Sequence, residues 1–423
     1  MVDEAGRNLR PLTLHVPEPK YRPGDTVSFD DMVFPAAGSV ARPPVDADPS
    51  SLRDLPYTLI RVLDPNGQAV GEWNPRLPAD RVIRILRGMM LTRIYDDRMF
   101  RAQRQGKTSF YMKCTGEEAV AVAAAEALDR DDMCFPSYRQ QGLLIARDWS
   151  LVDMMCQVYS NGGDRLKGRQ LPIMYSAKDA GFFSVSGNLG TQYPQAVGWA
   201  MASAAKGDTR IAASWVGEGT TAEGDFHAAC TFASVFRAPV ILNIVNNQWA
   251  ISSFAGFAGG ESTTFAARGL GYGIAALRVD GNDPLAVYAA TEWAAERART
   301  NSGATLIEHF TYRVEAHSTS DDPSAYRSSE DALQFPLGDP IERLKTHLIA
   351  IGEWDEDRHE ALKAELTAGV REAGREAEKL GVLSGTAFNH GFETIFEDVF
   401  ETMPAHLKEQ SDWMAEERRV AGV

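Results

Sequence analysis

Two short segments carry residues able to hold a metal ion and an anion together. Gly217-Glu218-Gly219 and Asn246-Asn247 are separated by residues 220–245, and each ends an apolar run. A carboxylate, an amide oxygen and a backbone carbonyl are hard oxygen donors, which is what magnesium takes when phosphates and water complete its octahedral shell. Glu218, Asn247 and the carbonyl of Trp249 are the candidate metal ligands. Gly217 and Gly219 let a ligand come close to the backbone, and the start of the following helix offers free N–H groups to an anion. A magnesium-bound diphosphate satisfies both features. The plainer alternative is a glycine turn beside a surface glutamate, with an Asn-Asn pair in an unrelated loop.

The elements around these residues must bring them together. Segments 210–216 and 240–245 are short apolar runs bounded by turn signals, the pattern of buried parallel strands. Between them Ala222, Phe226, Ala229, Cys230 and Ala233 recur at helical spacing, so a helix is expected over 220–237 before Pro239 forces a restart. A strand-helix-strand crossover of the usual right hand aims both strands the same way, so Glu218 and Asn247 can converge at one sheet edge. Further strands are expected at 133–135, 275–279 and 305–312. Helices alternate with them, among them an apolar-striped one from Ala79 and a small-residue one over 117–128. This alternation predicts an α/β fold with a doubly wound, mostly parallel sheet.

The sheet domain is placed at 81–338. An extended arm, 1–80, precedes it, and a helical segment, 339–423, is expected to pack on the same domain. The arm is rich in proline and aspartate, but Leu12, Leu14, Val16, Phe29 and Phe34 give it apolar side chains to lay on another surface, such as a partner subunit. Asp64-Pro65-Asn66-Gly67, between apolar segments 59–63 and 69–73, predicts a small hairpin. An amphipathic helix is expected over 356–380, with 392–403 closing the chain.

A Gly-acid-Gly turn followed at this distance by Asn-Asn resembles the thiamine diphosphate fingerprint. Most members of that group carry aspartate where this chain has Glu218, a change that adds one methylene of reach and keeps the charge. Other segments narrow the likeness: Ser109-Phe110-Tyr111-Met112, Gly116-Glu117-Glu118, Tyr138-Arg139, Gly168-Arg169-Gln170, and above all His317-Ser318-Thr319-Ser320-Asp321-Asp322 with Tyr326-Arg327. With them the chain is similar, from about residue 85 to about residue 410, to α subunits of branched-chain 2-oxo acid dehydrogenases of the 2-oxoisovalerate type. Pyruvate dehydrogenase α subunits share the general plan and are the near alternative.

The resemblance implies thiamine diphosphate and Mg2+ as cofactors, decarboxylation of a branched 2-oxo acid, and delivery of the acyl unit to the lipoyl group of a separate acyltransferase. It assigns Tyr138, Arg139 and Arg313 to the diphosphate, and a guanidinium fork suits phosphate oxygens. Ser186 and the backbone of Leu189 fall near the aminopyrimidine, where Asn188 replaces a frequent proline and leaves the loop shape open. Thr191 and Gln192 are candidates for ordering a monovalent cation such as potassium. His317 lies in a loop of hydroxyls and carboxylates where its charge can be tuned near neutral pH. It is the candidate catalytic residue, with contact to the diphosphate or to the reacting end left open. Phe110, Tyr111 and Met112 are near the substrate by resemblance, or packed in the core. His227 reads as a packing or interface residue. Ser318 matches a residue phosphorylated in mitochondrial relatives, but this chain need not meet a kinase, and regulation by phosphorylation is left open.

In that family the glutamate that activates the aminopyrimidine sits on a second α/β domain. This chain has room for one such domain, so a separate β subunit and an α2β2 heterotetramer are expected. A scaffold that keeps the fold without turnover is a third reading, and retention of Glu218, Asn247, Arg139 and His317 speaks against it.

Composition agrees with an enzyme subunit. The 423 residues are 44% hydrophobic and 24% charged, enough for a substantial core. A net charge of −15, from 43 basic and 58 acidic residues, argues against nucleic acid or an anionic membrane as the main partner. Cys114, Cys134, Cys156 and Cys230 are too widely spaced for a zinc or redox motif and read as buried free thiols. The first ten residues lack an apolar signal core, and no stretch reaches the roughly 18 apolar residues of a membrane span, so a cytoplasmic location is expected.

Overall fold

The computed structural model describes residue 10 and residues 13–382 and 392–422, so the expectation for Leu12 and part of that for the C-terminal segment lie outside the described residues. Five parallel strands form the central sheet: β1 (Met133–Phe135), β2 (Ala212–Gly217), β3 (Val240–Asn246), β6 (Ala275–Asp280) and β7 (Thr305–Phe310). Their order is β1-β2-β3-β7-β6. A two-residue pair, β4 (Trp249–Ala250) and β5 (Ser253–Phe254), forms a separate antiparallel ribbon just beyond β3.

Side chains alternate across the strands, and each face meets its own helices. Val240, Leu242 and Ile244 join the cluster under α5 (Gln192–Ala205) and α6 (Gly224–Val235), with Tyr193, Ala196, Phe226 and Ala229. Ile241 and Val245 face the larger core, built with α1 (Ala79–Arg104), α2 (Glu118–Ala127), α3 (Gln141–Ala146), α4 (Leu151–Tyr159) and α8 (Pro284–Arg299). Covering both faces of a parallel sheet makes this the doubly wound α/β fold expected from the sequence. Asp283 caps α8 by accepting from the Leu285 and Ala286 N–H groups, with Pro284 at the first helical position. All four cysteines are free and buried.

Three local expectations need correction. The helix placed over 220–237 begins only at Gly224. Residues Glu218–Ala222 form a tight 3-10 turn, in which Thr221 Oγ1 donates to the Glu218 carbonyl at 2.6 Å. The hairpin near residue 64 exists as a few bonds only, with Val70 donating to the Val62 carbonyl at 2.9 Å. Its limbs pair antiparallel at Leu63 and Ala69, and the first limb also pairs in parallel with the edge of β6, through Ile60 and Val279. Segment 392–403 does not close the chain; a 3-10 turn (Phe392–Phe396) leads to α12 (Ala405–Ala421), which buries no residue fully.

Much of the arm lies on its own domain. Phe29 packs edge-on against Phe335 with ring centroids 5.9 Å apart, and Phe34 meets Phe310 at 5.8 Å. Arg297 on α8 donates to the carbonyls of Val45 and Ala47 at 2.6 and 2.8 Å. Leu14 and Val16 stay exposed. After α7 (Arg268–Tyr272) and α9 (Asp331–Gln334), the helices α10 (Pro340–Ala350) and α11 (Glu356–Lys379) lie against α1. Leu362, Leu366, Val370 and Ala377 carry the buried face of α11.

Candidate active site

The site is built where β2 and β3 end. Their register pairs Gly217 with Val245, so Glu218 and the Asn246-Asn247 pair leave adjacent strands at the same level. Glu218 is 1% exposed, and its Oε1 atom has no hydrogen-bond partner. Burial pushes the Glu218 carboxyl up to about 7, opposed by the backbone N–H groups of Glu218 and Asn247 and by Arg313, and reinforced by Glu117. A buried acid short of a partner is costly unless something supplies one. A divalent cation at that oxygen would, so the donor set fits magnesium.

The two glycines play different parts. A Cβ at Gly217 would meet nothing within 4 Å, whereas one at Gly219 would sit 2.6 Å from the Cβ of Ala250. Gly217 keeps space open in the recess it lines, and Gly219 lets the turn pack against β4. The recess also gathers Glu117, Tyr138, Arg139, Ser186, Leu189, Gln192 and Asn247. A roomier groove of about 570 Å³, lined by Asp48, Arg237 and Arg297, opens near the start of β3. It lies at the far end of the strands from these residues.

Arg139 is 4% exposed and donates to the Lys113 carbonyl at 2.6 Å, to His317 Nδ1 at 3.0 Å and to the His317 carbonyl at 2.9 Å. Because a guanidinium only donates, Nδ1 of His317 accepts, which assigns the ring proton to Nε2. Burial, with Arg139 and Arg313 adding to it, drives the His317 imidazole down to about 3. The expectation of a charge tuned near neutrality is therefore corrected to a neutral ring. Tyr138 meets the ring edge-on at 5.7 Å, and Asp321 accepts from the His317 N–H at 2.7 Å.

Arg313 continues past β7, donating its backbone N–H to the Asn247 carbonyl at 3.2 Å. Its side chain donates to the carbonyls of Trp249 and Ile251, each at 2.8 Å, and to Tyr326 at 2.7 Å. The Trp249 carbonyl thus already accepts one bond and keeps its second lone pair for another. Ile251 sits at φ 57, which is strained for a β-branched residue, and the Arg313 bond helps hold it there.

The candidate substrate residues fall elsewhere. Tyr111 is fully buried and donates to Asp96 Oδ1 at 2.7 Å, Met112 belongs to the main core, and Phe110 is half-buried against it. None of the three lines the recess, and neither do Glu218, Gly219, Trp249, Arg313 and His317, which lie around it. Tyr111 serves the site through its backbone, which exchanges bonds with Thr319 at 3.0 and 2.9 Å and fastens the histidine loop. Ser186 and Leu189 reach the recess on a loop preceded by isolated bridges at Phe182. Thr191 donates to the Asn188 carbonyl at 3.1 Å, and buried Gln192 donates to the Trp215 carbonyl at 2.9 Å with its Oε1 unpartnered. His227 is exposed and bonds Tyr272 at 2.5 Å, away from the recess. Glu117, which the sequence offers only as part of Gly116-Glu117-Glu118, is central: its Oε1 accepts from Asn247 Nδ2 at 2.8 Å. Its 130-residue separation from Asn247 leaves no local signal.

The family model described as dehydrogenase E1 component matches residues 86–384, most of the chain and every residue of this site. The chain belongs to that family. A second model, described as 2-oxoisovalerate dehydrogenase E1 alpha subunit N terminal, matches residues 10–50, the part of the arm that carries Phe29 and Phe34. The chain is 60% identical to the 2-oxoisovalerate dehydrogenase subunit alpha of Pseudomonas aeruginosa, over 95% of this chain and 98% of that one. It is 39% identical to the mitochondrial 2-oxoisovalerate dehydrogenase subunit alpha of Homo sapiens, over 88% of this chain and 82% of that one. As an E1 component it is part of an oxidoreductase, and the family implies thiamine diphosphate as cofactor. Among the described residues no helix is long and apolar enough to cross a membrane.

Proposed function

We propose that the chain is the α subunit of a branched-chain 2-oxo acid dehydrogenase, working in the cytoplasm on 2-oxoisovalerate and its analogues. The observation that carries this reading is the buried Glu218 carboxylate beside Asn247, with its Oε1 left without a partner, within a chain so similar to α subunits of that name. Thiamine diphosphate, when bound, supplies the electron sink that decarboxylation of a 2-oxo acid needs. Glu218, the Asn247 amide oxygen and the Trp249 carbonyl would hold Mg2+. Arg139 and Arg313 would meet the diphosphate, with Tyr138, Gly217 and Gly219 shaping its seat and Ser186 and Leu189 bordering the pyrimidine side. Thr191 and Gln192 remain the candidates for K+. Neutral His317 is oriented by Arg139 to act as a hydrogen-bond donor through Nε2, and it is the proposed catalytic residue.

A β subunit completes the site in an α2β2 assembly, and a lipoyl acyltransferase receives the acyl unit. The chain divides into the arm 1–80, the diphosphate-binding domain 81–338 and the helical segment 339–423. The test is carbon dioxide release from 2-oxoisovalerate and from pyruvate by the chain assembled with its β subunit. The branched substrate should be preferred, and a strong preference for pyruvate would overturn the assignment.

A further inference from the structure

We propose that Glu117 is a positioning residue of the metal site, fixing which way round the Asn247 amide sits so that its oxygen is free for the cation. This deepens, and rests on, the reading of Glu218 and Asn247 as magnesium ligands. The turn that delivers Glu117 is firmly built. Gly116 adopts φ +94, and a Cβ there would lie 2.6 Å from the Tyr312 carbonyl oxygen, so only glycine fits against the end of β7. Thr311 donates to the Gly116 carbonyl at 3.1 Å, the Gly116 N–H donates to Glu118 at 2.9 Å, and the Glu117 N–H donates to the Cys114 carbonyl at 2.8 Å. Glu117 therefore heads α2 with its backbone tied to β7 and its side chain 2% exposed.

From that position Oε1 takes the Asn247 Nδ2 proton at 2.8 Å, and Arg139 Nε lies 3.9 Å from the same oxygen. A carboxylate is an acceptor only, so it can face the NH2 end of the amide and never the oxygen end. With Nδ2 committed, Oδ1 is turned to the other side, where its partner is the Trp249 N–H at a long 3.3 Å. An amide without this constraint could rotate to present N–H groups to a cation, which repel it. Losing a group that orients a metal ligand in this way typically costs roughly 10–100-fold in metal affinity. Glu117 also joins the metal side of the site to the diphosphate side through Arg139.

The test is calorimetric titration of Mg2+ into the assembled α and β subunits at saturating thiamine diphosphate. Glu117→Ala, and Glu117→Leu, which fills the volume without an acceptor, should each weaken Mg2+ binding roughly 10–100-fold. Turnover at saturating Mg2+ should fall much less than the affinity does. Glu117→Gln can still accept from Asn247 Nδ2 and should recover most of the lost affinity. Melting and size-exclusion profiles identify any variant that fails to assemble; Glu117→Gln, the least disruptive, then decides alone, because wild-type-like affinity is required of it. Wild-type affinity in Glu117→Ala, or a Glu117→Gln as weak as Glu117→Ala, would overturn the proposal. Glu218→Ala is the control: if it also binds Mg2+ normally, the metal-site reading fails, whereas a loss confined to Glu218→Ala defeats the Glu117 role alone.

Discussion

Asp280 and Asp283, at the end of β6, and Glu117 and Glu218, around the end of β2, are buried carboxylates on the same edge of one parallel sheet. They are wired in opposite ways. Asp280 accepts from Asn282, Arg61 and Arg343 at 3.0, 3.2 and 2.9 Å. Asp283 accepts from the N–H groups of Val62, Leu63, Leu285 and Ala286 at 2.6 to 3.1 Å. Every oxygen of that pair is matched, and the result is a clamp holding the arm to the domain. Glu218 has an oxygen with no partner and a carboxyl pushed up to about 7 by its burial. A place at the C-terminal edge of the strands permits a ligand site; an unmet bond there is what marks one.

The largest expected effect tests the closed cluster. Arg343 bridges both aspartates, at 2.9 Å to Asp280 and 3.4 Å to Asp283. Arg343→Ala would leave two buried carboxylates without their main cation, at a cost of about 3–5 kcal/mol of stability. Denaturant unfolding measures it, and Mg2+ affinity in the assembled enzyme should stay at the wild-type level. A variant that lost Mg2+ binding without losing stability would erase the distinction between the two clusters.

Glu218→Ala should behave in the converse way. Removing a metal ligand is expected to cost more than removing a group that only orients one, so Mg2+-dependent binding of thiamine diphosphate should weaken by at least about a hundredfold. The metal-free chain should unfold at nearly its wild-type temperature, because relief of the buried carboxyl's desolvation offsets the loss of the backbone N–H bonds to its other oxygen. Calorimetry and a melting curve together read both halves of the prediction. Unchanged cofactor affinity would remove Glu218 from the metal site.

His317 sharpens the contrast because it is buried neutral rather than buried charged. Its pKa is depressed to about 3 by burial, Arg139 and Arg313. The folded chain therefore refuses a proton that the unfolded chain takes up below about pH 6.5. The stability due to this neutrality is complete above pH 6.5 and is lost as pH falls toward 3. In His317→Ala that acid sensitivity should shrink, while turnover at neutral pH falls at least about tenfold. Stability measured from pH 7 to pH 4 in both forms checks the first part, and single-turnover decarboxylation checks the second. Normal single turnovers in His317→Ala would confine the ring to a structural role.

The parallel strands and the pairing of Glu218 with Asn247 were legible because both follow from local runs and one crossover. What the sequence hid depends on contacts between distant segments. Glu117 reaches Asn247 only because Gly116 lies against the end of β7, and the Arg313 side chain shares the Trp249 carbonyl across 64 residues. Tyr111 and Met112 have compositions that suit a substrate pocket or a core equally, and only packing places them in the core. The late start of α6 at Gly224 was hidden because Ala222 falls at helical spacing from Phe226 and Ala229 although the chain makes a tight turn there. His317 kept its place in the site but not its charge, since Arg139 and Arg313 reach it from other segments.

The smallest expected effect isolates what burial adds to a charge pair. Arg87 on α1 and Glu365 on α11 lie 2.7 Å apart, a shorter contact than Arg343 makes with either aspartate, yet their side chains are 45% and 62% exposed. Water screens such a pair and supplies replacement hydrogen bonds when one partner is removed, so exposed pairs contribute about 0.2–1 kcal/mol. A double-mutant cycle with Arg87→Ala and Glu365→Ala should return a coupling in that range, and it should decline when salt is raised, since screening reaches surface charges first. The helix seam itself rests on Leu362, Leu366 and Val370, which neither substitution touches. A coupling as large as the Arg343 loss would mean that proximity alone sets these energies. The difference between the clamp at β6 and the open carboxylate at β2 would then need another cause than desolvation.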